Sequence, residues 1–294
     1  MTLLPPADHL PPEGSTDPEP PRDSTRRTTR TTGVFTRETP GSRSLERGLA
    51  LLRAFRPGTS ALGNAELAQR TGLPRPTVTR LTRSLVDSGF LDFDAELGAY
   101  RLGAPFLSLG HTVRQASVVL ELALPLMRQI AEASNINVGL ALADGDDMVY
   151  LDSVRRSRAG VFRRIVSGSR VPIELTALGR AWLAGVDAET RRRKLAAIAP
   201  RHGERWASLA ADVEDGLAQI ARDGYCSAVW QAGLVSIAAP LCSPGVAVHS
   251  VNISFSVADG DLRTLETRFA PSLLRMVERF QEALAQRRLA AGTR

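Results

Sequence analysis

Cysteine is scarce in this chain of 294 residues: Cys226 and Cys242 are the only two. A disulfide framework is therefore not expected, and a reducing compartment, the cytoplasm, is. Both thiols read as small core hydrophobes. Long apolar runs are missing as well, since no stretch reaches the ~20 residues that cross a bilayer. The opening MTLLPPADHLPPEGSTDPEPP lacks the charged lead and continuous apolar segment of a secretory signal. Histidine is limited to His9, His111, His202 and His249, in unrelated segments, and HExxH, CxxC, GxSxG and Gly-rich phosphate loops are absent. Without a metal cage or a nucleophile beside a base, no enzyme, cofactor or metal is expected.

What is present is ordinary globular composition, 43% apolar and 23% charged, enough for one or two real cores. The net charge of +6 is compatible with a polyanionic partner. The placement of the arginines matters more than their number. Residues 1–42 are rich in Pro, Thr, Ser and charge and are expected to be a disordered tail, with Arg22, Arg26, Arg27, Arg30 and Arg37 as either a basic arm or a solvated stretch.

Order is expected from Ser44. The segment SLERGLALLRAF spaces Leu45, Leu49, Leu52 and Phe55 as the apolar stripe of a helix, stopped by Arg56-Pro57-Gly58. A short helix capped by Asn64 follows, then a turn at Thr71-Gly72-Leu73. A second helix starts near Arg75, with Pro74 and Pro76 where a missing N–H costs least. Val78, Leu81, Leu85 and Val86 give it a buried stripe. FLDFDAELGAYRLG then alternates and turns at Glu96-Leu97-Gly98 like a two-stranded wing. The sum is a winged helix-turn-helix over 43–103.

On the recognition helix, Arg75, Thr77, Thr79, Arg80 and Arg83 point away from the buried stripe. Arginine pairs with guanine or phosphate, and threonine suits phosphate or a thymine methyl. Tyr100 and Arg101 in the wing, and Arg43 and Arg47 beside the first helix, are further candidates for contact with double-stranded DNA. A solvated helix face competes at each single arginine; the whole constellation favours DNA. A winged helix that contacts protein instead is the alternative.

A linker helix is expected over 104–117 and a strand-and-helix domain over 118–291. Phe106, Leu107, Leu109, Val113, Val119, Leu122, Leu126, Met127 and Ile130 continue one apolar stripe, as core or as a dimer seam. Strands are expected at 136–143, 147–154, 160–166, 234–241 and 247–257, with helices between them. The fold class is therefore α+β.

SLERGLALLRAF, AELAQRTGLPRPTVTRLTRSLVDSGFL, YRLG, VPIELTALGRAWLA and GLVSIAAPL together resemble the isocitrate-lyase-regulator (IclR) family of transcription factors, from about Ser44 to Leu284. The resemblance implies an N-terminal winged helix-turn-helix, a linker helix and a C-terminal GAF-like effector-binding domain. It also implies a homodimer or dimer of dimers that represses or activates catabolic operons. A small-molecule effector, in our reading a carboxylate, is then expected. Thr176 opens a helix whose free N–H groups suit a carboxylate, or serves only as its cap. The family's effector contacts carry over to Ala177, Leu178, Ser236, Asn252 and Ser254. Asn252 and Ser254 stand two apart on a strand and share a face. The segment CSAVWQA, between Tyr225 and Gly233, reads as a loop shorter than the family's usual one and without its acidic residues.

Overall fold

The computed structural model describes residues 41–156, 165–231, 233–256 and 262–292. The tail up to residue 40, and residues 160–164 of the strand expected at 160–166, with Arg163 and Arg164, lie outside the described residues; Ile165 and Val166 are described and are not part of a strand.

The first helices are α1 (Arg43–Arg53), α2 (Asn64–Thr71) and α3 (Arg75–Asp87), followed by the hairpin β1 (Leu91–Asp94) and β2 (Ala99–Leu102). Leu51, Leu62, Leu67, Val78, Leu91 and Tyr100 make their shared core. α2 is capped by Gly63, whose N–H donates to Glu66 Oε2 at 3.1 Å. Asn64 is its first helical residue and not the cap. Gly72 ends it at φ +68°, a left-handed position where glycine costs least. The stripe expected on α1 needs correcting: Leu45 and Leu49 are 62% and 49% exposed, while Gly48 and Leu51 face inward. Leu52 and Phe55, the later half of the expected stripe, are half-buried against that core, so only its first two leucines point outward.

Two helices follow, α4 (Pro105–Gln115) and α5 (Val118–Ser134). α4 buries none of its own residues, and Leu107 and Val113 are 80% and 60% exposed. The Phe106 ring meets Phe90 edge-on at 5.6 Å, so the start of α4 packs on the end of the winged segment. α5 starts on a Ser117 hydroxyl that accepts from Leu120 N–H and ends at Asn135 in the left-handed region.

The rest is a six-stranded antiparallel sheet of β3 (Asn137–Asp144), β4 (Asp147–Arg155), β5 (Arg170–Pro172), β6 (Cys226–Gln231), β7 (Leu234–Leu241) and β8 (His249–Ser256). Its order is β5-β4-β3-β8-β7-β6. The segment CSAVWQA, expected as a loop, instead forms the edge strand β6, a hairpin partner of β7 in which Cys226 lies opposite Ala238. Its small polar residues look like a loop because only one face of an edge strand needs to be apolar.

Alternate residues feed two cores. Val138, Leu140, Ile237, Val251, Ile253 and Phe255 pack under α5 and α9 (Leu262–Gly292). The opposite face carries α6 (Ala177–Gly185), α7 (Ala188–Ile198) and α8 (Trp206–Asp223). Ala141, Met148, Tyr150 and Val171 pack there with Leu178, Leu183 and Val213. Cys226 lies under α6 among Ala177, Ala181, Ala228 and Ala238, where burial pushes its thiol up to about 12. It stays a neutral thiol and behaves as the small hydrophobe the sequence suggests.

Thr176 caps α6. Its hydroxyl donates to Pro172 C=O at 2.7 Å and accepts from Gly179 N–H at 3.2 Å, while the residue is 2% exposed. Thr176→Ala is expected to cost about 1–2 kcal/mol of unfolding free energy by chemical denaturation, because a cap is lost and buried groups are left unpaired.

Candidate functional site

Two surfaces gather the residues singled out by the sequence. The first is the outer face of α3. Arg75, Thr79, Arg80 and Arg83 are exposed, and Thr77 is half-buried. Arg75, Thr79 and Arg83 fall four apart and form one ridge. Among the described residues, no acidic side chain pairs with Arg75, Arg80 or Arg83, so three guanidinium groups stand uncompensated on one helix. The Thr79 hydroxyl donates to Arg75 C=O at 3.1 Å, which leaves its methyl and a lone pair outward. Inward-facing Val78 and the fully buried Thr82 lock the helix to the core behind that face.

The wing is less open than its sequence suggests. Tyr100 is 9% exposed, its ring tilted on Phe93 at 5.2 Å and its backbone bridged to Leu62. The Tyr100 side chain therefore belongs to the core and leaves the DNA-facing set. Arg101 remains exposed, but its Nε and NH2 both donate to Asp94 Oδ2, at 3.1 and 2.8 Å. Arg43 is exposed and Arg47 half-buried at the start of α1.

The second surface is the side of the sheet that faces α6. The register sets Ser236 opposite Ser254, and Ser254 opposite Asn137. In the next row Ala238 and Gly139 flank Asn252. Gly139 is required there, since a Cβ would stand 2.4 Å from Tyr150 Cε1 and 2.5 Å from Asn252 Oδ1. That gap lets Tyr150 and Asn252 meet over the strand between them. The Tyr150 ring and the Asn252 side chain close over the bare Gly139 Cα, while Asn252 Oδ1 and Ser250 Oγ, both buried, have no partner among the described residues. Burial holds the Tyr150 phenol above its ordinary value, so it remains a neutral donor.

The start of α6 joins this surface. Leu178 shares the Tyr150 core and Ala177 the Ala238 core. Five of the six expected effector positions, Thr176, Ala177, Leu178, Ser236 and Asn252, are buried, and Ser254 is half-buried. Sequence reasoning missed Tyr150, Gly139, Asn137 and Arg155. Arg155 stands opposite Asn137 by register and acts electrostatically on Tyr150. The alternation of DMVYLDSVR puts Tyr150 on a face but does not say which strand lies beside it.

Two side chains near this surface do other work. Arg170 is held by Asp144 and Asp147. His249 is buried and its Nδ1–H donates to Ala247 C=O at 2.6 Å, and burial lowers its pKa. Its neighbours Ser250 and Asn252 face one way along β8, and alternation turns His249 to the other. Among the described residues no group of His, Cys, Asp and Glu is placed to hold a metal, and no helix is long and apolar enough to cross a membrane.

Comparison with known proteins gives the same two parts. Residues 44–95 match the IclR helix-turn-helix domain, and residues 111–285 match the bacterial transcriptional regulator IclR C-terminal domain. A curated HTH-type transcriptional regulator of Mycobacterium tuberculosis is 30% identical over 247 residues, 81% of this chain and 91% of that one. The crystal structure of an IclR family regulator from Brucella abortus superimposes with a TM-score of 0.77 at 33% identity, over 86% of this chain and 96% of that one. An IclR homologue from Microbacterium hydrocarbonoxydans, solved with 4-hydroxybenzoate, shares the fold at 23% identity and a TM-score of 0.63, over 83% and 99% of the two chains. These relatives are regulators and not enzymes. The chain belongs to the IclR family of DNA-binding transcriptional regulators.

Proposed function

We propose that this chain reads a pseudo-palindromic operator with Arg75, Thr77, Thr79, Arg80 and Arg83, that Arg43, Arg47 and Arg101 steady it on phosphates, and that a small organic acid governs its hold. The observation that carries the DNA part is the uncompensated cationic face of α3. Recognition helices enter the major groove with such a face, their flanking cations on phosphates. It acts in the cytoplasm as a repressor or activator of catabolic genes. Residues 43–103 form the reading head, 104–117 the linker and 118–291 the effector-binding domain, after a tail over 1–42. Leu49 on α1 and Leu107, Leu109 and Val113 on α4 are exposed apolar side chains that suit the seam of a homodimer or dimer of dimers.

The acid fits the sheet face beneath α6. Ser236, Asn252 and Ser254 converge there, Tyr150 stays a neutral donor, and Arg155 supplies a cation at the end of the row. The N–H groups at Ala177 and Leu178 lead α6, where an anion is favoured. Asn252 Oδ1 and Ser250 Oγ lack partners among the described residues, and a ligand hydroxyl satisfies such acceptors.

A thermal-shift panel of small organic acids, led by 4-hydroxybenzoate, tests this reading. A bound acid at a hundredfold over its Kd stabilises by about 2.7 kcal/mol. The shift is expected to disappear in Asn252→Leu and to shrink in Arg155→Gln. An acid that shifts the wild type and Asn252→Leu alike removes Asn252 from the site.

A further inference from the structure

The turn between β3 and β4, Asp144-Gly145-Asp146-Asp147, places three carboxylates in a row, and each is engaged by cations from other parts of the fold. Asp144 takes Arg53 NH2 on Oδ1 at 2.5 Å and Arg170 NH1 on Oδ2 at 2.7 Å. Asp147 Oδ2 takes Arg170 Nε at 3.0 Å and Arg56 NH1 at 3.4 Å. Arg170 NH2 also donates to Asp144 C=O at 2.6 Å. Asp146 holds Lys194 and Arg201.

Arg53 ends α1 and Arg56 follows it, so both belong to the helix-turn-helix domain; the aspartates and Arg170 belong to the C-terminal domain. No apolar cluster of the described residues contains side chains from both domains. α4, which connects them, buries none of its residues and reaches the C-terminal domain through Arg114, on Asp152 at 2.8 Å and Ser167 at 3.0 Å. Charge, not burial, therefore ties the head to the body. Desolvation, the largest influence on the Asp144 carboxyl, raises its pKa, yet the hydrogen bonds from Arg53 and Arg170 outweigh it and hold the group below its usual range.

The position of Arg170 gives the cluster a second meaning. It opens β5, which ends at Pro172, four residues before Thr176, the residue that caps α6. One guanidinium thus bridges both aspartates that hold the head, at the start of the strand leading into the proposed effector turn.

We propose that the β3–β4 tip is a clasp that positions the DNA-reading head on the C-terminal domain, with Arg170 linking that clasp to the segment before α6. Arg53 and Arg56 are positioning residues: they orient α3 through α1 and do not touch DNA. Fixing the two heads of a dimer lowers the ordering cost of docking both half-sites, so opening the clasp weakens operator binding. The operator readout rests on the DNA reading given above; a second readout does not.

The first experiment is a double-mutant cycle on full-length protein, measuring affinity for the DNA upstream of its own gene. Arg53→Ala and Asp144→Ala are each expected to lower affinity about fivefold, with no further loss when combined. Additive losses overturn the proposal. The second is hydrogen exchange without DNA. In Asp144→Arg and in Arg170→Gln, amides of residues 51–56 are expected to exchange about fivefold faster, with α3 unchanged as proof that the head stays folded. Unaltered exchange at 51–56 in either variant also overturns it. A failed gel shift with altered exchange indicts the DNA reading and not the clasp.

Discussion

Replacing Arg80 with alanine is expected to weaken operator binding about tenfold to a hundredfold at physiological salt, the loss of one base or phosphate contact worth about 1–3 kcal/mol. The basis is the isolation of its charge. Among the described residues Arg80 has no ionic partner, so its removal frees no buried acid and disturbs no core. Thermal stability and acid-induced stabilisation should therefore match the wild type. Equal loss of both DNA binding and acid binding would sink the separation of roles between the two surfaces. Changing Arg75, Arg80 and Arg83 together separates steering from reading. If all three face phosphates, the slope of log affinity against log salt is expected to fall by about 0.9 per contact removed. A base-reading arginine instead relaxes sequence preference and leaves the slope nearly as it was. Should the triple variant hold the operator as the wild type does, α3 is not the recognition helix.

The contrast between α3 and the sheet explains what the sequence made legible. In α3 one element carries both signals: Val78 and Thr82 face in, while Arg75, Thr79 and Arg83 face out. A period of 3.6 read along one segment is enough to separate them. The effector face is assembled from several strands and a helix cap. Ser236 and Ser254 are 18 residues apart, and Asn137 lies 99 residues before the first of them, yet register places all three in one row. Alternation within β8 shows that Asn252 and Ser254 share a face. Nothing local shows that Tyr150 reaches Asn252 over Gly139, because that depends on strand order.

The errors have the same origin. On α1 the leucines Leu45 and Leu49 mark the wrong face because the pattern counts apolar side chains without knowing which neighbours a helix has. In the wing, Tyr100 alternates as a surface residue would, but its backbone bridge to Leu62 pulls the ring inward. The clasp was invisible for another reason. The acidic turn at Asp144–Asp147 reads as a solvated hairpin tip, and only the tertiary fold brings Arg53, 91 residues away, onto it.

Gly179→Ala is expected to be the most damaging single-methyl change near the proposed effector site. In the first turn of α6, a Cβ on Gly179 would stand 1.9 Å from Ile173 O and 2.4 Å from Ile173 C. Those opposing atoms are backbone, so no side chain can rotate away, and either α6 or the turn before it must shift. Such a shift also strains the cap, because the Gly179 N–H donates to the Thr176 hydroxyl. Displacing the helix also disturbs Ala177, Leu178, Ala181 and Leu183, all buried. An overpacked site of this kind costs about 3 kcal/mol. For a domain of this size that corresponds to a drop in Tm of roughly 6–12 °C. Acid binding is expected to fall with it, because Ala177 and Leu178 form the proposed anion-facing end of α6. Gly110→Ala provides the control. Gly110 lies in α4 with nothing within 4 Å of its added Cβ, so helix propensity alone acts there, and a gain of up to about 1 kcal/mol is expected. If Gly179→Ala melts with the wild type, the tight seat of α6 on Ile173 does not exist in solution, and the proposed effector surface loses one of its walls.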